Sequence, residues 1–333
     1  MDTLKDKFKD IKIVKYRFFM QAEDEVKMDR GTNNSLRRDF IPLFKQITCK
    51  ANNGPCDDCQ LGQDCPYFVV FESANLPLDP KNKRFQTPPK PFIFEPSLTQ
   101  KTYFSRDEEF TLDLILIGEA ISYFSYFIAA LHALGKDGIG FSGGRFFIKN
   151  VVPFDLFENY VSGNYIWNPD SPTSDDATFS LGELYEKYRS EYKEIKEIQV
   201  NLVTPLRMKR LGTEDWHLHF RGVLRNVLTR VANLAYRYCG YEDFMEFPEI
   251  LYKSGVVRTI SEKFYQEDKK SSFTQRVDVR KTGSLGNIVY RGNITEFWGI
   301  VRLAELLHLG KNTSFGFGRI VVEPHEITSI PAE

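Results

Sequence analysis

The sequence lacks a hydrophobic run long enough to cross a bilayer. Its longest apolar stretch, around Phe124 to Leu134, is interrupted by Ser125 and His132, whereas a membrane-spanning helix needs about 20 predominantly apolar residues. No hydrophobic segment follows Met1, so no secretory signal peptide is expected. We therefore predict a cytoplasmic protein with no membrane partner.

A marked excess of charge of either sign is also missing, which argues weakly against nucleic acid as a partner. The 333 residues carry 44 Lys and Arg against 45 Asp and Glu, for a net charge of −1. The basic residues are unevenly distributed, because the segment from Arg207 to Arg237 has seven of them, opposed only by Glu214 and Asp215. A local basic face can bind phosphates, although a solvated helix face would give the same pattern.

Cysteine is scarce, but four of the five cysteines are clustered with the spacing C-x6-C-x2-C-x5-C. Thiolates this close in a cytosolic chain indicate a metal more than disulfides. We predict structural zinc in a closed shell formed by Cys49, Cys56, Cys59 and Cys65. An iron–sulfur cluster, which also takes four thiolates, and a knuckle of reduced thiols without metal are the alternatives.

A glycine-rich loop is predicted near the C-terminus, where residues 308–319 read HLGKNTSFGFGR. The segment follows an apolar helical pattern and runs into a β-branched strand. Glycine has no Cβ, so backbone N–H groups there can approach a phosphate closely; a plain turn between helix and strand is the alternative. We predict RNA contacts at Gly310, Gly316, Gly318 and Arg319.

The same pattern occurs earlier in the chain, where residues 134–136 repeat the Leu-Gly-Lys of residues 309–311 at an offset of 175. A single repeat of this length indicates a duplicated domain, because solenoid periods are shorter. Residue periodicity predicts the order β-α-β-β-α-β in both copies, with an extra strand in the first. We predict an α+β fold of tandem ferredoxin-like (βαββαβ, RRM-like) domains at residues 1–152 and 196–333, joined by a segment and helix at 153–195.

Individual elements follow from the same periodicity. In the first copy we expect strands at 11–20, 67–71, 91–95, 110–117 and 145–152, with helices at 36–47 and 119–134. In the second we expect strands at 197–206, 255–264, 272–281 and 286–293, with helices at 219–238 and 295–308. His132 is expected to lie in the core or to anchor the loop, whereas Phe315 and Phe317 could stack on a base or enter the core.

The helix at 219–238 is expected to be amphipathic, with basic residues on its polar side. Arg221 and Arg225 share a face because they are four positions apart. Together with the basic residues that precede the helix, they are predicted to contact phosphates. This predicted set is Arg207, Lys209, Arg210, Arg221 and Arg225.

The two predicted domains, each with a glycine-rich loop before its last strand, resemble those of the RAMP proteins of CRISPR systems. More narrowly, the chain resembles the CRISPR repeat-processing endoribonucleases. The loop at 308–319 is the most specific landmark, and the similarity extends over about residues 10–325. Weaker landmarks are Thr204-Pro-Leu-Arg207, Phe92-Ile-Phe-Glu-Pro96, Leu116-Ile-Gly118 and Cys65-Pro-Tyr67. The resemblance implies an enzyme that binds CRISPR repeat RNA and cuts the precursor transcript without metal. The ribose 2′-OH would attack the neighbouring phosphate, leaving 2′,3′-cyclic phosphate and 5′-OH ends.

This reaction needs a base, an acid and positive charge at the phosphorane. We predict His308 as base or acid, since its pKa lies near neutrality; satisfying the last helix carbonyls is its alternative role. Lys311 and Arg37 are predicted to supply charge. Family members that use a histidine usually carry it near the first helix of the first domain, whereas this chain has no histidine before His132.

Two other functions stay open at this point. One is a non-catalytic RNA-binding subunit that holds a guide RNA in a larger complex. The other is a zinc-dependent module that recruits a partner protein. The expected partners are CRISPR repeat RNA and other CRISPR-associated proteins, and no cofactor is expected for catalysis.

Overall fold

The fold is described from a computed structural model. It describes residues 4–28, 34–51, 54–56, 59–72, 89–95, 98, 101–140, 143–158, 160–161, 166–167, 178–208, 218–266 and 283–329. The chain divides into two units, of which the first contains residues 10–180 and 233–244. The second contains residues 1–9, 181–232 and 245–333.

Helices and strands are numbered separately in chain order. The first half of the chain contains α1 (Leu4–Phe8), β1 (Lys12–Ala22), β2 (Val26–Lys27), α2 (Asn34–Thr48), β3 (Phe92–Glu95), β4 (Tyr103–Phe104), β5 (Glu109–Ile117), α3 (Phe124–Asp137), β6 (Phe146–Asp155), β7 (Tyr160–Val161) and β8 (Phe179–Ser180). The second half contains α4 (Leu181–Arg189), β9 (Tyr192–Leu206), α5 (Phe220–Tyr238), α6 (Pro248–Lys253), β10 (Arg258–Gln266), β11 (Ser284–Arg291), α7 (Trp298–Leu307) and β12 (Ile320–Ser329).

In the first unit, β1 is the central strand of an antiparallel sheet with the order β3-β5-β1-β6. It pairs with β5 from Ile13↔Ile117 to Gln21↔Glu109. Alternate residues of a strand point to opposite faces, and the face that carries Tyr16 packs on α3, where the Tyr16 and Phe124 rings stack at 4.1 Å. This strand order, with one helix before β3 and one before β6, is the ferredoxin-like arrangement.

The second unit repeats this topology with the sheet order β10-β11-β9-β12. β9 is central and pairs with β11 and β12. Ile198, Val200 and Leu202 on one face of β9 are buried, as expected for a strand whose other face is exposed to solvent. The predicted α+β fold of tandem ferredoxin-like domains is confirmed.

Some predicted elements differ from the observed ones. Residues 68–72, expected to be a strand, form a π-helical turn that buries Val70 and Phe71. Short apolar runs do not distinguish a strand from a buried helical turn. The helix predicted at 119–134 begins as a 3₁₀ turn at 118–123 and becomes α-helical from Phe124. The strand expected at 272–281 lies outside the described residues.

The first unit continues beyond the predicted boundary at residue 152. β6 extends to Asp155 and pairs with β7, and β8 pairs with β1 at Lys12↔Ser180. The segment at 153–180 therefore adds strands to the first sheet, whereas α4 belongs to the second unit. No helix within the described ranges is both long and apolar enough to span a membrane.

A buried group of charges lies on the first sheet. Asp113 accepts two hydrogen bonds from Arg17, from Nε at 2.7 Å and from Nη2 at 2.8 Å. Lys15 Nζ lies 2.5 Å from Glu95 Oε2 and 3.5 Å from Asp113 Oδ2, and it lies over the Phe154 ring at 4.5 Å. Glu95 is 2% exposed and Asp113 6%, so each charge depends on its neighbours for solvation.

We predict that Asp113→Ala lowers the free energy of unfolding by about 3–5 kcal/mol, because it leaves buried cations without their shared carboxylate. The control is Glu109→Ala on the same strand, which removes an exposed pair with Lys149 and should cost less than about 1 kcal/mol. Urea denaturation monitored by circular dichroism measures both. Equal small losses would show that the buried network contributes no more than a surface pair.

Candidate nucleic-acid interface

The glycine-rich loop connects α7 to β12 in the second unit and starts at His308. This residue has φ 59° and ψ 164°, a conformation that costs a non-glycine residue about 1–3 kcal/mol. Its side chain is fully buried, and Nδ1 donates to the Phe317 carbonyl at 3.0 Å. His308 therefore closes the loop internally. Its predicted role as base or acid would require the ring to leave this position.

The loop glycines are required by close backbone approach. Gly310 and Gly318 have φ values of 77° and 69°, which favour glycine. A Cβ at Gly310 would overlap the Arg207 carbonyl, and one at Gly318 would overlap the Leu309 carbonyl. The absence of a side chain thus serves packing within the loop and against the end of β9.

The amides of the three predicted glycines are already used inside the protein. Gly310 N donates to Asn226 Oδ1 at 2.9 Å. Gly316 N donates to the Thr313 carbonyl at 2.9 Å, and Gly318 N donates to the Pro205 carbonyl at 3.0 Å. We therefore correct the expectation that these amides cradle a phosphate, since each already has an acceptor. Contact between this loop and RNA stays a prediction that depends on its side chains.

Thr204 ties the end of β9 to the end of the loop. Its hydroxyl donates to the Gly316 carbonyl at 2.6 Å and accepts from Arg319 N at 2.8 Å, and the residue is fully buried. One hydroxyl can fill both roles because it carries a donor and two acceptor sites. The Thr-Pro-Leu-Arg landmark thus has a structural purpose that the sequence alone did not assign.

α5 supports the loop from another side. Arg230 Nη1 donates to Thr313 Oγ1 at 2.8 Å, and its Nη2 donates to the Gly310 carbonyl at 2.5 Å. Burial lowers the pKa of Arg230 to about 10, so the side chain is charged at neutral pH. Neither Asn226 nor Arg230 is among the predicted site residues. Their four-residue spacing places them on one face of α5, and this spacing is the signal that could have found them.

Positive charge is exposed on this loop and on the helix that holds it. Lys311 is exposed, and its backbone N donates to the Arg207 carbonyl at 2.8 Å. The half-buried Arg207 guanidinium lies 4.5 Å from the centre of the Phe317 ring. Arg221 and Arg225 are exposed on α5. Lys209 and Arg210 lie outside the described residues.

Of the two alternatives for Phe315 and Phe317, stacking on a base or entering the core, the structure shows the second for both. Phe315 is 3% and Phe317 4% exposed, so neither is placed to stack on a base. His132 is exposed on α3, contrary to the prediction of a core or loop-anchoring residue, because this helix buries one face with Phe127, Leu131 and Leu134.

Arg37, the third predicted catalytic residue, is exposed on α2 in the first unit. It lies near Lys90, whose Nζ donates to the Phe71 carbonyl at 2.6 Å. Burial lowers the pKa of Lys90 to about 8, and the charge of Arg37 adds to this shift while Glu72 opposes it. Nothing in this geometry tests the catalytic role of Arg37, which stays a prediction.

The predicted zinc site is not supported. All five cysteines are free thiols, and within the described ranges no three His, Cys, Asp or Glu side chains converge to hold a metal. Cys49 N continues the α2 hydrogen bonds to Lys45, while Cys59 N closes a turn on Cys56. Burial raises the pKa of the Cys56 thiol. Among the described residues, the cysteines are reduced thiols that do not converge on a metal position.

Two family models match the chain. Residues 11–177 match a model described as an N-terminal domain, AF_1859_N, and residues 200–320 match CRISPR-associated endoribonuclease Cas6. An uncharacterised protein of Archaeoglobus fulgidus is 22% identical over 177 residues, covering 53% of this chain and 55% of that protein.

Solved structures with the same fold include chains of a partial Cas6-RT-Cas1–Cas2 complex and of a Cas6-RT-Cas1–Cas2 complex. Each superposes with a TM-score of 0.56 at 9% identity and covers 97% of this chain. The match covers 48% of the first chain and 30% of the second. This chain therefore spans about half the length of the Archaeoglobus fulgidus relative and half or less of these two chains.

We predict that Gly318→Ala destabilises the second unit by more than about 2 kcal/mol, because the new Cβ meets a backbone carbonyl at a positive φ. Gly222→Ala on α5 is the matched control. Its Cβ has no neighbour closer than 3.8 Å, so the higher helix propensity of alanine should stabilise by up to about 1 kcal/mol. Thermal unfolding of both variants tests the pair, and a neutral Gly318→Ala would contradict the packing argument.

Proposed function

We propose that this chain, which belongs to the Cas6 family of CRISPR-associated endoribonucleases and carries the AF_1859 N-terminal domain, binds CRISPR repeat RNA and cleaves precursor transcripts into guide RNAs. The observation that carries the proposal is the exposed Lys311 on a loop whose backbone is held by the end of β9 and by α5, the helix that also exposes Arg221 and Arg225. Such a surface can bind phosphates at fixed positions while the protein as a whole stays nearly neutral.

The proposed reaction is an internal transesterification. The ribose 2′-oxygen forms a bond to the adjacent phosphorus as the bond to the 5′-oxygen breaks. The 2′-OH proton is lost, and a proton is delivered to the leaving 5′-oxygen, giving 2′,3′-cyclic phosphate and 5′-OH ends. Holding the 2′-oxygen in line with the leaving group supplies much of the acceleration, and no metal is required for these steps.

The predicted catalytic residues enter the proposal differently. Lys311 and Arg37 supply positive charge, of which Lys311 stands next to the fixed backbone of the loop. His308 acts by holding the Phe317 carbonyl and the loop in place, since its ring is buried. Arg207, Arg221, Arg225 and Arg319 bind phosphates, and Lys209 and Arg210 are proposed to extend this set.

A non-catalytic RNA-binding subunit is the second candidate. The burial of His308, together with the lack of histidine before His132, favours it, because the predicted base or acid is held by the loop backbone and does not face a substrate. In either case the proposed partners are repeat RNA and other CRISPR-associated proteins, and a cytoplasmic location stays a prediction.

Incubation of the purified protein with repeat RNA in excess EDTA tests the main proposal. We expect one cut per repeat and, by mass spectrometry, products with 2′,3′-cyclic phosphate and 5′-OH ends. A repeat with a single 2′-deoxy nucleotide at the cut site is the control, because it removes the attacking group and should be bound but not cut. Tight binding of the normal repeat without cleavage would favour the non-catalytic subunit.

Replacing Arg225 by alanine should weaken binding to all repeat sequences and flatten the salt dependence. One lost phosphate contact reduces the slope of log K against log salt by about 0.7–0.9. Arg189→Ala is the matched control, since Arg189 is an exposed arginine of the same unit that pairs with Glu186 at 2.7 Å. Binding isotherms at several salt concentrations measure the slopes. An unchanged slope for Arg225→Ala would remove this residue from the interface.

A further inference from the structure

The two α5 side chains that hold the loop act on one short piece of backbone. Asn226 accepts from the amide of Gly310, and Arg230 donates to its carbonyl. These two groups belong to the peptide units on either side of Gly310, so both peptide planes are oriented by α5. The peptide unit between Gly310 and Lys311 also contains the amide of Lys311, which donates to the Arg207 carbonyl at 2.8 Å.

The peptide unit that joins Gly310 to Lys311 is thus held at both ends. Its carbonyl is bound by Arg230 and its N–H by the end of β9. Because the Lys311 Cα is attached directly to this planar unit, these contacts fix the position of that Cα and the direction of its N–Cα bond, and so the point from which the exposed lysine side chain leaves the loop. Asn226 then restricts rotation at Gly310, which would otherwise be the most flexible position of the loop.

We infer that Arg230 and Asn226 are positioning residues that orient Lys311 toward a bound RNA phosphate, an assignment that rests on the proposed RNA-binding function. A planar guanidinium suits this task because its N–H groups form a rigid fork that can bind two oxygens at once. Arg230 uses two arms of the fork, for the Gly310 carbonyl and the Thr313 hydroxyl. A lysine ammonium retains the charge but does not reproduce this fork.

The cost of burying this charge supports a positioning role over a packing role. The Arg230 Nε is inaccessible to solvent, and burial lowers the pKa of the side chain to about 10. Well-packed apolar residues often replace buried charges without loss of stability, so packing alone does not call for an arginine here. An arginine is required here by the orientation of the loop backbone, because charge-assisted hydrogen bonds are stronger and more directional than neutral ones.

α5 carries both the exposed Arg225 and the two residues that hold the loop. Arg225 is exposed, and its neighbour Asn226 turns to the loop. The next turn repeats this alternation, with Thr229 exposed and Arg230 bound to the loop. One rigid element therefore sets the spacing between the phosphate-binding arginines and Lys311.

A double-mutant cycle on RNA affinity tests the inference, using Arg230→Lys, Lys311→Met and the double variant. If Arg230 acts through Lys311, each single change should weaken binding by about tenfold, and the double variant should bind no more weakly than Lys311→Met alone. Effects that multiply would show independent action and overturn the inference. Asn226→Leu provides a second cycle with Lys311→Met should the arginine variant fail to fold.

Arg302→Lys is the control for a purely structural effect. Arg302 is a half-buried arginine of the same unit that pairs with Glu305 and lies over the Tyr188 ring at 5.0 Å. We expect it to lower the melting temperature without changing RNA affinity. Hydrogen exchange on the RNA-free protein adds an independent readout, since Arg230→Lys should accelerate exchange at the amides of Gly310 and Lys311. Unchanged exchange there would also overturn the inference.

Failure of the proposed enzyme activity can be distinguished from failure of the positioning inference, because the double-mutant cycle measures RNA binding alone. A wild-type protein that binds repeat RNA without cutting it would refute the nuclease proposal and leave the positioning role intact. Additive cycles in a protein that cuts RNA would refute only the positioning role.

Discussion

The close approach of the glycine-rich loop to the end of β9 constrains everything else in the candidate site. Gly310 and Gly318 lie against backbone carbonyls where no Cβ fits, and the loop amides donate to acceptors of the protein itself. A loop held this way cannot also offer those amides to a ligand. Any contact between this loop and a ligand is therefore left to the side chains that the rigid backbone presents, of which Lys311 is exposed.

The glycine-rich loop of the first unit has different hydrogen-bond partners from the loop of the second unit. Gly140 N donates to the Asp39 carboxylate at 2.9 Å, and Arg145, which follows the glycines of the first loop, pairs with Asp24 at 2.6 Å. An amide and an arginine of this loop are thus bound by carboxylates of the same unit. In the second loop, the side-chain acceptor of the Gly310 amide is the neutral amide of Asn226.

The sequence was sufficient for the topology because periodicity and glycine positions are local. The strand pattern of β1 and the helical pattern of α5 each predict a buried face without knowledge of the partner element. The exchange of a strand for a π-helical turn at 68–72 depends on how Phe71 packs against α2 and β3, and that contact is not local. The extension of the first sheet to Ser180 has the same cause, because β8 pairs with a strand far away in sequence.

The site was predicted less well, because a residue type does not reveal which way its side chain points. His308 fits a chemical role by the ordinary pKa of histidine and by its position in the sequence, yet its backbone conformation buries the ring under the loop. Arg230 is one of several basic residues of α5, yet its guanidinium binds the loop at the Gly310 carbonyl and the Thr313 hydroxyl. Both outcomes have one physical origin, which is that a loop with buried polar backbone must find its hydrogen-bond partners nearby. The residues that bind this backbone are therefore not available to contact a ligand, and only the exposed side chains next to them are.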